Sequence, residues 1–158
     1  MEQPGDPGRT PTGSLPIGDY ALLSDCRSAA LVSRDGSVDW LCFPRFDSPS
    51  VFARILDDRA GHWSIRATGQ AEVTRCYRPD TLVLETTYRT HRGAARVVDT
   101  LAVGRNERGH ELGGDAPGAL LRIVEGIDGE VDLTLEYAPR PEYGLVAPLL
   151  ELSDSPVT

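Results

Sequence analysis

Trp40, Arg45, Phe46 and Asp47 stand close together in the sequence, and as a set they could act on a sugar. An aromatic face stacks on the apolar side of a sugar ring, while an Arg fork and a carboxylate hydrogen-bond around its rim. These four are the candidate substrate or interface residues. They also fit a plainer arrangement, with Trp40 in the core opposite Leu31 and Arg45 paired with Asp47 at the surface. Hydrolysis of a glycosidic bond demands more: two carboxyl groups flanking the bond, one of them an acid of raised pKa. Asp19, Asp25, Asp39 and Asp47 lie near, but no spacing fixes two of them at the required separation. Asp19 and Asp25 suit turns, where short carboxylates accept bonds from their own backbone. No catalytic residue is assigned.

Other chemistries find no support in the residue pattern. The sequence contains no GxSxG, no P-loop and no HExxH. Gly113-Gly114 lies in a polar loop without the strand-to-helix setting a phosphate site needs. His62, His91 and His110 are far apart and show no metal-ligand spacing. Cys26, Cys42 and Cys76 form no CxxC pair and are odd in number, so a disulfide framework is not expected. Each lies in or beside an apolar run, which predicts buried free thiols. No metal or cofactor is expected.

The elements that must position these residues read as strands. Runs rich in β-branched and aromatic residues are expected at 20–24, 29–34, 37–42, 62–67, 73–77, 81–90, 94–103, 119–126 and 130–137. Asp35-Gly36 sits between two of them, which predicts a two-residue type I′ hairpin. In that register Leu31 faces Trp40 and Ser33 faces Val38 on the core face, while Val32 faces Asp39 on the other. Asp128-Gly129 predicts a second such hairpin. Val131, Leu133, Leu135 and Tyr137 alternate, so one face of that strand is expected to be buried. Ser48 can cap a helix with Pro49 at its first position, and Val51, Phe52, Ile55 and Leu56 recur at helical spacing. Many short strands with turns between them and one short helix predict an all-β fold, an antiparallel β-sandwich.

The chain has 158 residues, enough for one domain with a real core. Its net charge of -8 argues against nucleic acid and anionic membrane as partners, since both require a positive field. All sixteen basic residues are Arg. No apolar run approaches the length of a membrane span. The Gly/Pro-rich stretch 1–14 reads as a disordered leader and has no secretory h-region, so a cytoplasmic location is expected. Residues 15–147 form the expected domain, and 148–158 form a tail of different character.

A family resemblance takes the reading further. IGDY at 17–20, AALVS at 29–33, DGSVDWLC at 35–42 and PRFDSP at 44–49 resemble the opening of bacterial trehalase-like and glucoamylase-like proteins of glycoside hydrolase family 15. The similarity continues at 77–90 (YRPDTLVLETTYRT), 96–103 (RVVDTLAV), 122–129 (RIVEGIDG) and 137–144 (YAPRPEYG). The resemblance implies an N-terminal β-sandwich domain. It also implies that α-glucoside hydrolysis belongs to a following (α/α)6 barrel, whose paired Glu residues have no counterpart here. Family members continue with further strands, so an incomplete sandwich with an open sheet edge or exposed apolar surface is expected. Three readings follow: a non-catalytic sandwich segment of such a hydrolase, a freestanding saccharide-binding module, or a partner docking in trans on a separately encoded barrel.

Overall fold

The computed structural model describes residues 15–104 and 109–150; the expected leader at 1–14 and most of the tail, 151–158, lie outside them. After a 3-10 turn at Ile17–Asp19 come ten strands. They are β1 (Ala21–Ser24), β2 (Ala29–Val32), β3 (Ser37–Cys42), β4 (Ser50–Phe52), β5 (His62–Ala67), β6 (Glu72–Tyr77), β7 (Leu84–Arg89), β8 (Gly93–Leu101), β9 (Leu120–Gly129) and β10 (Leu133–Ala138). A second 3-10 turn, Gly109–Glu111, lies in the β8–β9 connection. All pairings are antiparallel. The first sheet runs β1-β2-β3-β5-β10, with β4 also on β3; the second runs β6-β7-β8-β9. The expected all-β, two-sheet architecture is present.

The core lies between the sheets. Leu23, Ala30, Val32, Val38, Leu41 and Phe52 of the first sheet meet Leu84 and Leu101 of the second. A smaller cluster joins Ile65 to Tyr88 and Val97. Burying each such side chain contributes about 1.5–3 kcal/mol. Within it the Tyr88 hydroxyl donates to the Ile65 carbonyl at 2.9 Å. Burial pushes that phenol up to about 12. An unfolded phenol titrates near 10, so between about pH 10 and 12 the unfolded chain loses a proton that the folded chain keeps, and stability falls as pH rises. The expected slope is about 1.4 kcal/mol per pH unit. Urea melts across that range should show it, and Tyr88→Phe should flatten it.

Five expectations are corrected. The residues expected to form a helix after Ser48 instead form β4, with Leu41 opposite Phe52 and Cys42 opposite Ser50. Pairing on β3 and burial of the Phe52 ring outweigh the local helical spacing, and the Ser48 hydroxyl accepts from the Arg45 N–H at 3.1 Å rather than capping a helix. The Asp35-Gly36 hairpin is real but longer: the Gly36 N–H reaches the Ser33 carbonyl, so Arg34-Asp35 is the central pair and Gly36 follows at φ +79°. The register then shifts between Leu31 and Val32, so Val32 pairs with Val38 rather than Asp39. That one-residue bulge puts Val32 and Val38 in the core and leaves Leu31 and Trp40 on the outer face.

Asp128-Gly129 makes no hairpin. β9 stays paired with β8 as far as Gly93 opposite Gly129, and the chain then crosses to the first sheet, where β10 pairs with β5. Gly129 (φ +56°) is needed for close approach, because a Cβ there would overlap the Arg92 carbonyl oxygen. On β10 the alternating apolar side chains are not buried: Leu135 is 60% exposed and Tyr137 46%.

Candidate functional site

Three connections converge at one end of the sandwich. The β1–β2 turn is shaped by Asp25, whose Oδ1 accepts from the Arg27 N–H at 2.9 Å and the Ser28 N–H at 2.6 Å. The β3–β4 loop follows Cys42 and includes a cis Phe43–Pro44 bond. It is held by Phe46 N–H to the Arg27 carbonyl at 2.9 Å and Ser48 N–H to the Arg45 carbonyl at 3.1 Å. The β8–β9 loop leans on the first turn: Arg27 Nη1 donates to the Gly114 carbonyl at 3.1 Å. Gly113 sits so close there that a Cβ would press on the Asp25 carbonyl and the Arg27 and Cys26 side chains.

Together the first two loops enclose an open hollow of about 300 Å³ lined by Cys26, Arg27, Arg45, Phe46 and Asp47. Arg45 Nε meets Asp47 Oδ1 at 3.0 Å, with both side chains mostly solvated. The Phe46 ring is 58% exposed. Of the four sequence candidates, Arg45, Phe46 and Asp47 line this hollow. Trp40 does not line this hollow. It lies half-buried on the outer face of the first sheet, opposite Leu31, with its ring 6.3 Å from that of Tyr143. Sequence reasoning missed Arg27 as a wall of the hollow and Tyr143 as the partner of Trp40. Neither is near in sequence, and only the loop closure brings them in.

The neighbouring carboxylates are engaged. Asp19 pairs with Arg34 at 2.6 Å. Asp25 serves its turn. Asp39 is buried, accepting from the Ser37 hydroxyl at 2.5 Å and the Tyr20 hydroxyl at 3.1 Å. All three cysteines are free, but only Cys42 is buried; Cys26 and Cys76 are exposed, because Cys26 sits in the open turn and β6 is an edge strand. Burial pushes the Cys42 thiol up from its ordinary value. Among the described residues no group of three or more His, Cys, Asp and Glu side chains could hold a metal ion. No helix among them is long and apolar enough to cross a membrane.

The family described as "Trehalase-like, N-terminal" matches residues 10–157. The chain belongs to this family. Curated relatives agree. A trehalase of Mycolicibacterium smegmatis is 42% identical over 148 residues, 87% of this chain and 22% of the relative. A trehalase of Mycobacterium tuberculosis is 43% identical over 138 residues, 81% of this chain and 20% of the relative. Trehalase 1 of Sulfolobus acidocaldarius is 34% identical over 143 residues, 90% of this chain and 22% of the relative. This trehalase-like N-terminal chain thus spans about a fifth of the length of the curated relatives it matches. No solved structure matches it.

Proposed function

We propose that this chain is the non-catalytic N-terminal β-sandwich segment of a trehalase-like or glucoamylase-like hydrolase of glycoside hydrolase family 15. The parent reaction is hydrolysis of trehalose or another α-glucoside. It is carried out by a separate (α/α)6 barrel, joined in cis or docked in trans. One observation carries this reading: the chain matches trehalases along nearly all of its own length but only a fifth of theirs. The engagement of Asp25 in a turn, Asp39 in buried bonds, and Asp19 and Asp47 in ion pairs supports it. So does the need of glycoside hydrolysis for two carboxyls facing one bond. A cytoplasmic setting fits three free thiols.

Phe46 offers an apolar face, Arg27 and Arg45 offer donors, and Asp47 offers an acceptor. These suit either a saccharide or a polar domain contact, and Trp40 with Tyr143 adds a second aromatic surface on the outer face. The purified 158-residue chain should release no glucose from trehalose or maltose. Release that disappears in a variant of one of its own carboxylates would overturn the proposal. Saturable binding of trehalose or malto-oligosaccharides, lost in Phe46→Ala with the fold intact, would favour a binding module instead.

A further inference from the structure

Where β1 and β6 end their sheets, an open hollow of about 350 Å³ lies between them. Its walls include Tyr20, Arg34, Val73, Arg75, Tyr77 and Leu84, and it shares no residue with the hollow at the loop end. Val73, Arg75 and Tyr77 alternate along β6, so they share one face of that strand. Their bonds show that this face looks toward the first sheet. The Tyr77 hydroxyl accepts from the Leu22 N–H at 2.8 Å and donates to the Leu22 carbonyl at 3.0 Å. Arg75 donates from Nη1 to the Val32 carbonyl at 3.2 Å and from Nη2 to the Asp19 carbonyl at 3.1 Å.

The way Arg75 is held sets the chemistry of the hollow. Both bonds go to neutral carbonyls, and among the described residues its Nε donates to no acceptor. The guanidinium is thus fixed in place with no carboxylate bonded to it. Desolvation, and then the charge of Arg34, lower it from its ordinary value; Tyr77 and Asp19 act the other way as smaller effects. Arg34 Nε meets Asp19 Oδ1 at 2.6 Å. Two arginines and one aspartate leave one positive charge unmatched at the hollow. One carboxylate balances that charge, and its edge matches the planar fork of a guanidinium. Beside the arginines, Tyr77 is 41% exposed and Val73 43%, so both have surface left for an apolar body to cover. The volume stands at the lower end of the range for small-molecule sites, about 300–1,000 Å³.

We propose that this hollow binds a small ring-bearing carboxylate, its head on Arg75 and Arg34 and its ring against Tyr77 and Val73. The site goes beyond the function proposed above and does not rest on it. Arg75 is the anchor, because its two carbonyl bonds aim it before a ligand arrives and little ordering is left to be done on binding. Asp19 opposes the ligand, by its charge and by holding Arg34. Aromatic acids and sugar acids share the required head and differ in the body offered to the walls.

Calorimetric titration of the 158-residue chain at low salt tests this. Benzoate and glucuronate are the acids, benzyl alcohol and glucose their neutral counterparts, and inorganic phosphate a different anion. At least one acid should bind saturably, with its neutral counterpart about ten-fold weaker or more, the worth of a hydrogen bond to a charged group. The tighter acid identifies the body that the walls select. Arg34→Gln should weaken binding about five-fold and Asp19→Asn should tighten it about five-fold, the effect of one charge a few ångströms away in a solvated hollow. Tightening is an outcome that a merely structural Asp19 does not produce. Arg75→Gln should abolish binding; because Arg75 also ties β6 to the first sheet, the two charge variants carry the test if that variant fails to fold. No saturable binding by either acid overturns the proposal, as does an affinity unchanged in both charge variants. Phosphate bound more tightly than both acids overturns the assignment to a carboxylate.

Discussion

Replacing Arg122 with alanine should cost about 3–5 kcal/mol of folding stability, the range for removing one partner of a buried ion pair. Arg122 rises from β9 into the space between the sheets. Its Nε meets Asp99 Oδ1 at 2.9 Å and its Nη2 meets Oδ2 at 3.2 Å, with neither side chain exposed. The same guanidinium donates to the Trp63 carbonyl in β5 at 2.6 Å and to the Gly36 carbonyl in the β2–β3 turn at 2.7 Å. It also lies 5.3 Å from the centre of the Trp63 ring. One side chain therefore ties the two sheets together. Its loss leaves a buried carboxylate without this partner and takes one donor from each of two carbonyls, of which Gly36 keeps the Ile65 N–H. The expected loss is large beside a total of about 5–15 kcal/mol. The double replacement Arg122→Met with Asp99→Leu should cost less than Arg122→Ala, because it leaves no orphaned charge. Urea denaturation of the three proteins decides it; a single-variant loss below about 1 kcal/mol would show the clasp to be unimportant.

Gly36→Ala should be nearly as damaging, at about 3 kcal/mol. Two costs add. The residue sits at φ +79°, where a Cβ adds about 1–2 kcal/mol. That Cβ would also overlap the Tyr88 hydroxyl and the Ile65 carbonyl oxygen, and overpacking of a filled interior costs about 1–3 kcal/mol. Neither neighbour can yield easily, because Tyr88 and Ile65 are bonded to each other and buried. Thermal melting measures the effect. Gly69, also at positive φ but with open space around it, is the control: Gly69→Ala should show the backbone cost without the collision.

The two glycine–aspartate turns show how far local sequence carries. Asp35-Gly36 was legible as a turn between strands, since Gly36 does sit at positive φ. Its length was not legible, because the extra residue is absorbed by a bulge near Asp39 that no local pattern marks. That slip decides which side of the sheet Trp40 occupies. Asp128-Gly129 has the same two residues and a different use: Gly129 lets β9 touch the backbone at Gly93. The sequence around 128 does not contain that contact. The β4 region fails for a related reason, since the stripe from Val51 to Leu56 suits a helix until β3 offers an edge to pair with.

The loop candidates were easier. Arg45, Phe46 and Asp47 are consecutive, so any loop that turns sharply keeps them together. Arg27 joins them only because the Phe46 N–H reaches its carbonyl. Arg122 was hidden most completely. It is one Arg among sixteen, and its role depends on Asp99 in the adjacent strand and on the carbonyls of Trp63 and Gly36 across the core.

The crossover from β9 to β10 has a consequence for synthesis. The second sheet is a meander in which each strand pairs with the next, so it can assemble as the chain leaves the ribosome. The first sheet cannot finish on that schedule. β5 is made early, but its partner β10 is the last strand of the described residues to be translated. Non-local pairings of this kind are slow to form, because the chain between the partners must be ordered first. A nascent chain that has emerged from the ribosome only as far as residue 129 would therefore hold β6 to β9 paired beside a first sheet with β5 still lacking β10.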